Sequence, residues 1–175
     1  MNAFQEKFKS GVRSGVVAAL LVMILSGCGS VQHKMDMQSG YVPVVGTKIE
    51  IGKVSNESGQ TFDVNVEQLL TDALTEKLGE KDLLWKGQGN TKLLLSGKIV
   101  EYEKGNAFKR WLMPGWGSTV LNVKAELKKG DQLVGTAEAR RTIVAGGGFT
   151  IGEWNKVFRS VAGDIVEDLN AKIPK

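Results

Sequence analysis

Residues 119–144 constrain the fold most, because they spell out a hairpin in the alternation of their side chains. Leu121, Val123, Ala125 and Leu127 alternate with Asn122, Lys124, Glu126 and Lys128. Successive strand residues point to opposite faces, so this strand has one apolar and one charged side. Lys129-Gly130-Asp131 reads as the turn, and Gln132 to Val144 returns as the second strand. Arg140 and Arg141 are neighbours in that return, so one of them faces the apolar side unless a bulge intervenes. A sheet with one apolar face requires a cover.

Two helices are predicted to supply it. Val66, Leu69, Leu70, Ala73, Leu74 and Leu78 recur at three- and four-residue spacing, which places them on one helical stripe. Asn65 is the expected N-cap, with Gln68 answering it in a variant of the capping box, and Gly79 stands where a left-handed C-terminal residue is wanted. The second stripe is Trp154, Val157, Phe158, Val161, Ala162, Ile165, Val166 and Leu169. Gly146-Gly147-Gly148 before it reads as a hinge, since it lacks the Gly-Lys-Ser/Thr ending and the G-x-G-x-x-G spacing of phosphate loops.

Further strands are expected at Val42–Val54, with Ile49 and Ile51 on one face, and at Thr91–Tyr102, with Leu93, Leu95 and Ile99 inward. Asn56-Glu57-Ser58-Gly59 closes the first as a turn, and Leu83–Trp85 is a short strand candidate. The strand-helix-strands-helix order predicts an α+β fold, a mostly antiparallel sheet of four to five strands with both amphipathic helices on one face. Val100, Tyr102 and Val134 are assigned to the opposite, polar face among Lys98, Lys124, Glu126 and Glu138.

The N-terminus has a different character. Lys7, Lys9 and Arg13 precede an apolar run from Gly15 to Leu25, the layout of a secretory leader. The run is short of the roughly 20 residues that span a bilayer as a helix. It ends in Leu25-Ser26-Gly27-Cys28, which resembles the lipobox of bacterial lipoproteins. That resemblance implies recognition through Leu25, Ser26 and Gly27, cleavage before Cys28, and a diacylglyceryl group on the Cys28 sulfur. It further implies acylation of the new amino group, with chains of the palmitate type. Two or three acyl chains hold a protein stably on a membrane, whereas one binds only marginally.

The expected division is therefore a signal peptide at 1–27, a lipidated flexible tether at 28–41 and one periplasmic α+β domain at 42–175. His33 is expected simply to lie in the tether. Gly29, rather than aspartate, follows the cysteine, and by the same resemblance this implies sorting to the outer membrane, with the domain facing the periplasm.

Composition narrows the function classes. With 175 residues and 42% hydrophobic content, one domain is expected. The leader removes three basic residues and Glu6, leaving 20 basic against 18 acidic and a net charge of +2. That balance gives no support to nucleic-acid binding. One cysteine excludes an internal disulfide, and one histidine with no Cys/His spacing leaves a metal without a ligand set. No cofactor is expected beyond the lipid on Cys28.

The segment Lys104–Gly117 is the strongest candidate for function, as a long connection holding Trp111 and Trp116, half of the four tryptophans. Phe108, Lys109, Arg110, Trp111, Met113 and Trp116 are the candidate partner-binding residues, the aromatics as anchors and the two cations for lipid head groups or an acidic rim. The alternative, a lid that buries these rings over the end of the core, stays open.

The pattern as a whole resembles the bacterial lipoproteins of domain-of-unknown-function family 4410, over about residues 43–172. The residues that carry the likeness are Val44, Val45 and Ile49, the run Pro114-Gly115-Trp116-Gly117, the hairpin, the Gly-rich turn and the terminal helix. The resemblance transfers no active-site residues. With the only thiol acylated and the only histidine outside the domain, Glu101, Glu103 and Glu153 are the remaining acid/base candidates, and catalysis is not expected. The expected function is that of a non-catalytic accessory or docking factor of a cell-envelope complex, bound to membrane lipid and to an envelope protein. Alternatives are a carrier of a lipid or hydrophobic peptide and, below it, an enzyme acting on an envelope polymer.

Overall fold

The computed structural model describes residues 30–87, 91–105, 117–143 and 155–174. Their order is β1 (Val31–Met37), β2 (Lys48–Asn56), α1 (Val66–Glu80), β3 (Lys92–Glu103), β4 (Thr119–Lys129), β5 (Gln132–Ile143) and α2 (Lys156–Lys172). The strands form one sheet in the order β1-β5-β4-β3-β2. The fold is α+β, as the periodicities require. The sheet is mixed: three neighbouring pairs are antiparallel, and β2 runs parallel to β3. A parallel pair needs a crossover connection, and α1 is that connection. No described helix is long and apolar enough to cross a membrane.

Both helices pack on one sheet face and on each other. Val66, Leu70, Ala73, Leu74 and Leu78 of α1 are buried, as are Val157, Phe158, Val161, Ala162, Ile165, Val166 and Leu169 of α2. They meet Leu93, Leu95, Ile99, Leu121, Val123, Ala125 and Leu127 from the sheet in one core. Full burial of each Leu, Ile or Phe contributes about 1.5–3 kcal/mol. The hairpin turns as its sequence predicts, with Lys129 opposite Gln132 and Gly130 at φ +58°. Asn56 Oδ1 accepts from Ser58 N at 3.1 Å and closes the turn after β2.

Several expectations are corrected. Residues 31–37, read as part of the tether, form the edge strand β1, paired with β5 from Val31↔Arg141 to Met37↔Gly135. The strand is held by backbone pairing rather than by an apolar face, since only Met35 is buried. Tyr102 and Val134, assigned to the polar face, are both buried in the core. A register shift between Ile99 and Glu101 turns Tyr102 inward, and another at Leu127/Lys128 does the same for Val134. A bulge inserts one residue and so reverses the facing of the residues beyond it.

At the start of α1, Asn65 Oδ1 accepts from Gln68 N at 2.8 Å, as predicted. The reciprocal arm is absent, because Gln68 Nε2 donates to Asp72 at 2.7 Å. Gly79 lies inside the helix, and the left-handed residue is Asp82 at φ +54°. Lys48 Nζ holds Asp82 in place by donating to its carbonyl and to its carboxylate. Leu83–Trp85 contributes a single bridge, Ile49↔Leu84, against the outer edge of β2.

Candidate functional site

Where the chain enters the sheet decides which end of the molecule an N-terminal anchor holds. β1 begins at Val31, opposite Arg141 near the end of β5. Thr119 at the start of β4 is opposite Ile143, and Val120 is opposite Glu103 at the end of β3. The stems of residues 106–116, and the end of β5 that leads into residues 144–154, therefore share the end at which β1 starts.

The described part of that end is tied by polar contacts around an aromatic cluster. Lys104 Nζ donates to both carboxylate oxygens of Asp63, at 3.1 and 2.8 Å, and this holds the Asp63 carboxyl below its usual range. Buried Thr119 donates from Oγ1 to the Lys104 carbonyl at 3.0 Å, which closes the base of the β3–β4 connection. Tyr102 stacks edge-on against Phe62, with centroids 4.8 Å apart, and lies 5.1 Å from Phe158. Its hydroxyl is buried without a hydrogen-bond partner among the described residues. Burial, and then Asp63, push its pKa up to about 12, so it stays a neutral phenol.

On the helix face, the inward member of the arginine pair is Arg141. It donates from Nε and Nη2 to Asp164 at 2.6 and 2.5 Å, and Asp164 is 3% exposed. A carboxylate this buried requires such a partner. Two residues along β1 from the partner of Arg141, His33 Nδ1 stands 3.0 Å from Asp168 Oδ2 on α2. The hydrogen bond to Asp168 raises the His33 pKa against the opposing effect of burial.

The other sheet face is charged, as its alternation predicts. Arg140 makes a two-pronged contact with Glu101 at 3.0 and 3.1 Å. Lys98 lies between Glu126 at 3.4 Å and Glu57 at 3.8 Å, and Lys92 pairs with Glu50 at 2.7 Å. Glu101 is therefore engaged as a structural counter-charge. Two of the surface clefts have the same character. One of about 530 Å³ is lined by Lys77, Glu80, Arg141, Arg159, Asp164 and Glu167 among others, and a second of about 360 Å³ on the sheet face by Lys34, Asp36, Lys98, Lys124 and Glu138 among others. Among the described residues no three His, Cys, Asp or Glu side chains group to hold a metal.

Leu25, Ser26, Gly27 and Cys28, the candidates Phe108, Lys109, Arg110, Trp111, Met113 and Trp116, and also Glu153 and Gly146–Gly148, lie outside the described residues. The contacts that sequence reasoning missed are His33–Asp168 and Arg141–Asp164. Val31, His33, Met35 and Met37 do alternate, but with two of the four polar or exposed that period carries little weight.

The family model described as "Domain of unknown function (DUF4410)" matches residues 44–147. The chain belongs to this family. The DUF4410 match takes in β2 to β5 and α1, while β1 and α2 lie outside it. No curated protein matches the DUF4410 chain. Among solved structures it is similar to a PelC dodecamer from Paraburkholderia phytofirmans, at 16% identity and TM-score 0.55, covering 82% of this chain and 100% of that one. A point variant of the same PelC dodecamer gives 17% identity with the same TM-score and coverage. At that identity the likeness concerns the fold.

Proposed function

We propose that this protein is a bacterial lipoprotein, anchored through acyl chains on Cys28 to the outer membrane and facing the periplasm, that serves as a non-catalytic docking factor of a cell-envelope complex. The observation that carries the reading is the start of β1 at Val31, three residues after Cys28. Three residues reach at most about 11 Å. An acylated Cys28 would thus hold one chosen end of the sheet against the bilayer surface instead of leaving the body on a long leash. The stems of residues 106–116 belong to that same end. Phe108, Lys109, Arg110, Trp111, Met113 and Trp116 are accordingly proposed to meet a membrane-associated partner there, the cations serving anionic groups and the aromatics the apolar contact.

Docking is favoured over carriage of a lipid or hydrophobic peptide because the space between sheet and helices is filled by side chains, while two of the surface clefts are lined mainly by charged ones. An apolar cargo binds in pockets lined mainly by hydrophobic groups. Since the shared fold occurs in a PelC dodecamer, further copies of this chain are one class of partner to test. Mass spectrometry of protein purified from membranes should find an N-terminal Cys28 carrying acyl chains; a bare thiol or a retained leader would overturn the anchor. A photo-cross-linking scan from Phe108 to Trp116 should capture an envelope protein or a second copy, and a silent scan would remove the docking site.

A further inference from the structure

We propose that the contact between His33 and Asp168 is a latch, released as pH rises, that sets the length of chain between the acylated Cys28 and the body. It rests on the proposed anchor and deepens it. Among the described residues β1 is paired on one side only, at the edge of the sheet, and of its seven side chains only Met35 is buried. Beyond the ladder with β5 and the buried Met35, the polar contact that joins β1 to the helix layer is His33 Nδ1 to Asp168 Oδ2 at 3.0 Å, between groups 135 residues apart. His33 is the sole histidine of the chain, and histidine is the side chain that changes charge near neutrality.

The charges facing it are Asp168 and Asp164 from α2 and Arg141 from β5. Arg141 is itself clamped by Asp164, so Asp168 is left to the imidazolium. The hydrogen bond to Asp168 raises the folded pKa above 6.5. A group raised on folding contributes stability that is complete below its unfolded pKa and is lost as pH climbs through the folded value. The latch is therefore closed in mild acid and loosens towards mild alkali. Local openings of edge elements are the low-energy end of a protein's motions, so a modest change at one contact alters how often β1 lifts.

The consequence is mechanical. With β1 docked, only Gly29 and Ser30 lie between Cys28 and the body; with β1 lifted as far as Gln38, nine residues do, and the ten steps reach at most about 35 Å. The edge of β5 is bared at the same time, and such an edge is a template for another strand.

The test uses the acylated full-length mature protein in nanodiscs. Hydrogen exchange of β1 amides is measured relative to those of α1 in the same molecule, which cancels the intrinsic pH dependence of exchange, and energy transfer from the bilayer to a dye on the β4–β5 turn reports height. Between pH 6 and 8 the relative exchange of β1 should rise several-fold and the height should increase, with both flat in His33→Gln and in Asp168→Asn. Relative exchange that is constant with pH in the unaltered protein, or that rises equally in His33→Gln, overturns the latch. So does rising exchange at constant height. A bare Cys28 would instead defeat the anchor, and pH-dependent protection of β1 in that protein would show the failure to lie there.

Discussion

The two edges of the sheet are built by different physics. At β2, Ile49 is fully buried, and its backbone is paired on both sides: with Leu93 of β3, and with the return from α1 through Ile49 N to Leu83 O at 2.7 Å and Trp85 N to Ile49 O at 2.8 Å. At β1, among the described residues, there is one ladder, one buried methionine and one charged contact to the helix layer. The β2 edge cannot come away without opening the core, whereas the β1 edge has little core to open.

The largest expected effect comes from Ile49→Ala, which should cost about 4 kcal/mol of global stability, read as a shift of the chemical denaturation midpoint with an unchanged slope. Met35→Ala should cost about 2 kcal/mol, at the low end of such truncations because the residue borders solvent. Its cost should appear first as faster amide exchange in β1 while α1 stays protected; a loss of equal size in α1 would mean that the edges do not differ. Next comes Gly135→Ala. An added Cβ there meets Met37 Sδ at 3.0 Å and the Asp36 carbonyl at 3.2 Å, so β1 must give way, by about 1 kcal/mol, again confined to β1 exchange. Asn65→Ala removes the cap of the helix that ties β2 to β3 and should lower the melting temperature by an amount matching about 1 kcal/mol. Unlike the Met35 change, it should leave the relative exchange of β1 untouched.

The same contrast explains what the sequence discloses. β4, the hairpin turn and both helix stripes are legible because burial selects side chains at a fixed period, and Leu121 to Leu127 and Val157 to Leu169 keep it. β1 is hard to read, because Val31, Met35 and Met37 do alternate with Gln32, Lys34 and Asp36 but His33 interrupts the apolar series and only Met35 is buried. Simple alternation puts Tyr102 and Val134 on the wrong face, since a bulge moves the register by one residue and no residue type announces it. The parallel placement of β2 beside β3 is available in principle, from a strand, a helix and a strand in succession. Of the candidate site, the chemistry of Cys28 and of the aromatic segment is local and can be read. The pairs His33–Asp168 and Arg141–Asp164 join distant parts of the chain and become visible only once the strands are laid side by side.

That strand order has a consequence for assembly. Of the described strands β1 comes earliest in the chain, yet its neighbour in the sheet is β5, the latest, and its contact on α2 comes later still. Among the described elements β1 therefore finds its ladder only once β5 is present, and its helix contact only once α2 has followed. Its pairing with β5 joins residues farther apart in sequence than the pairing of β2 with β3, and contacts of that separation are the slow ones to form.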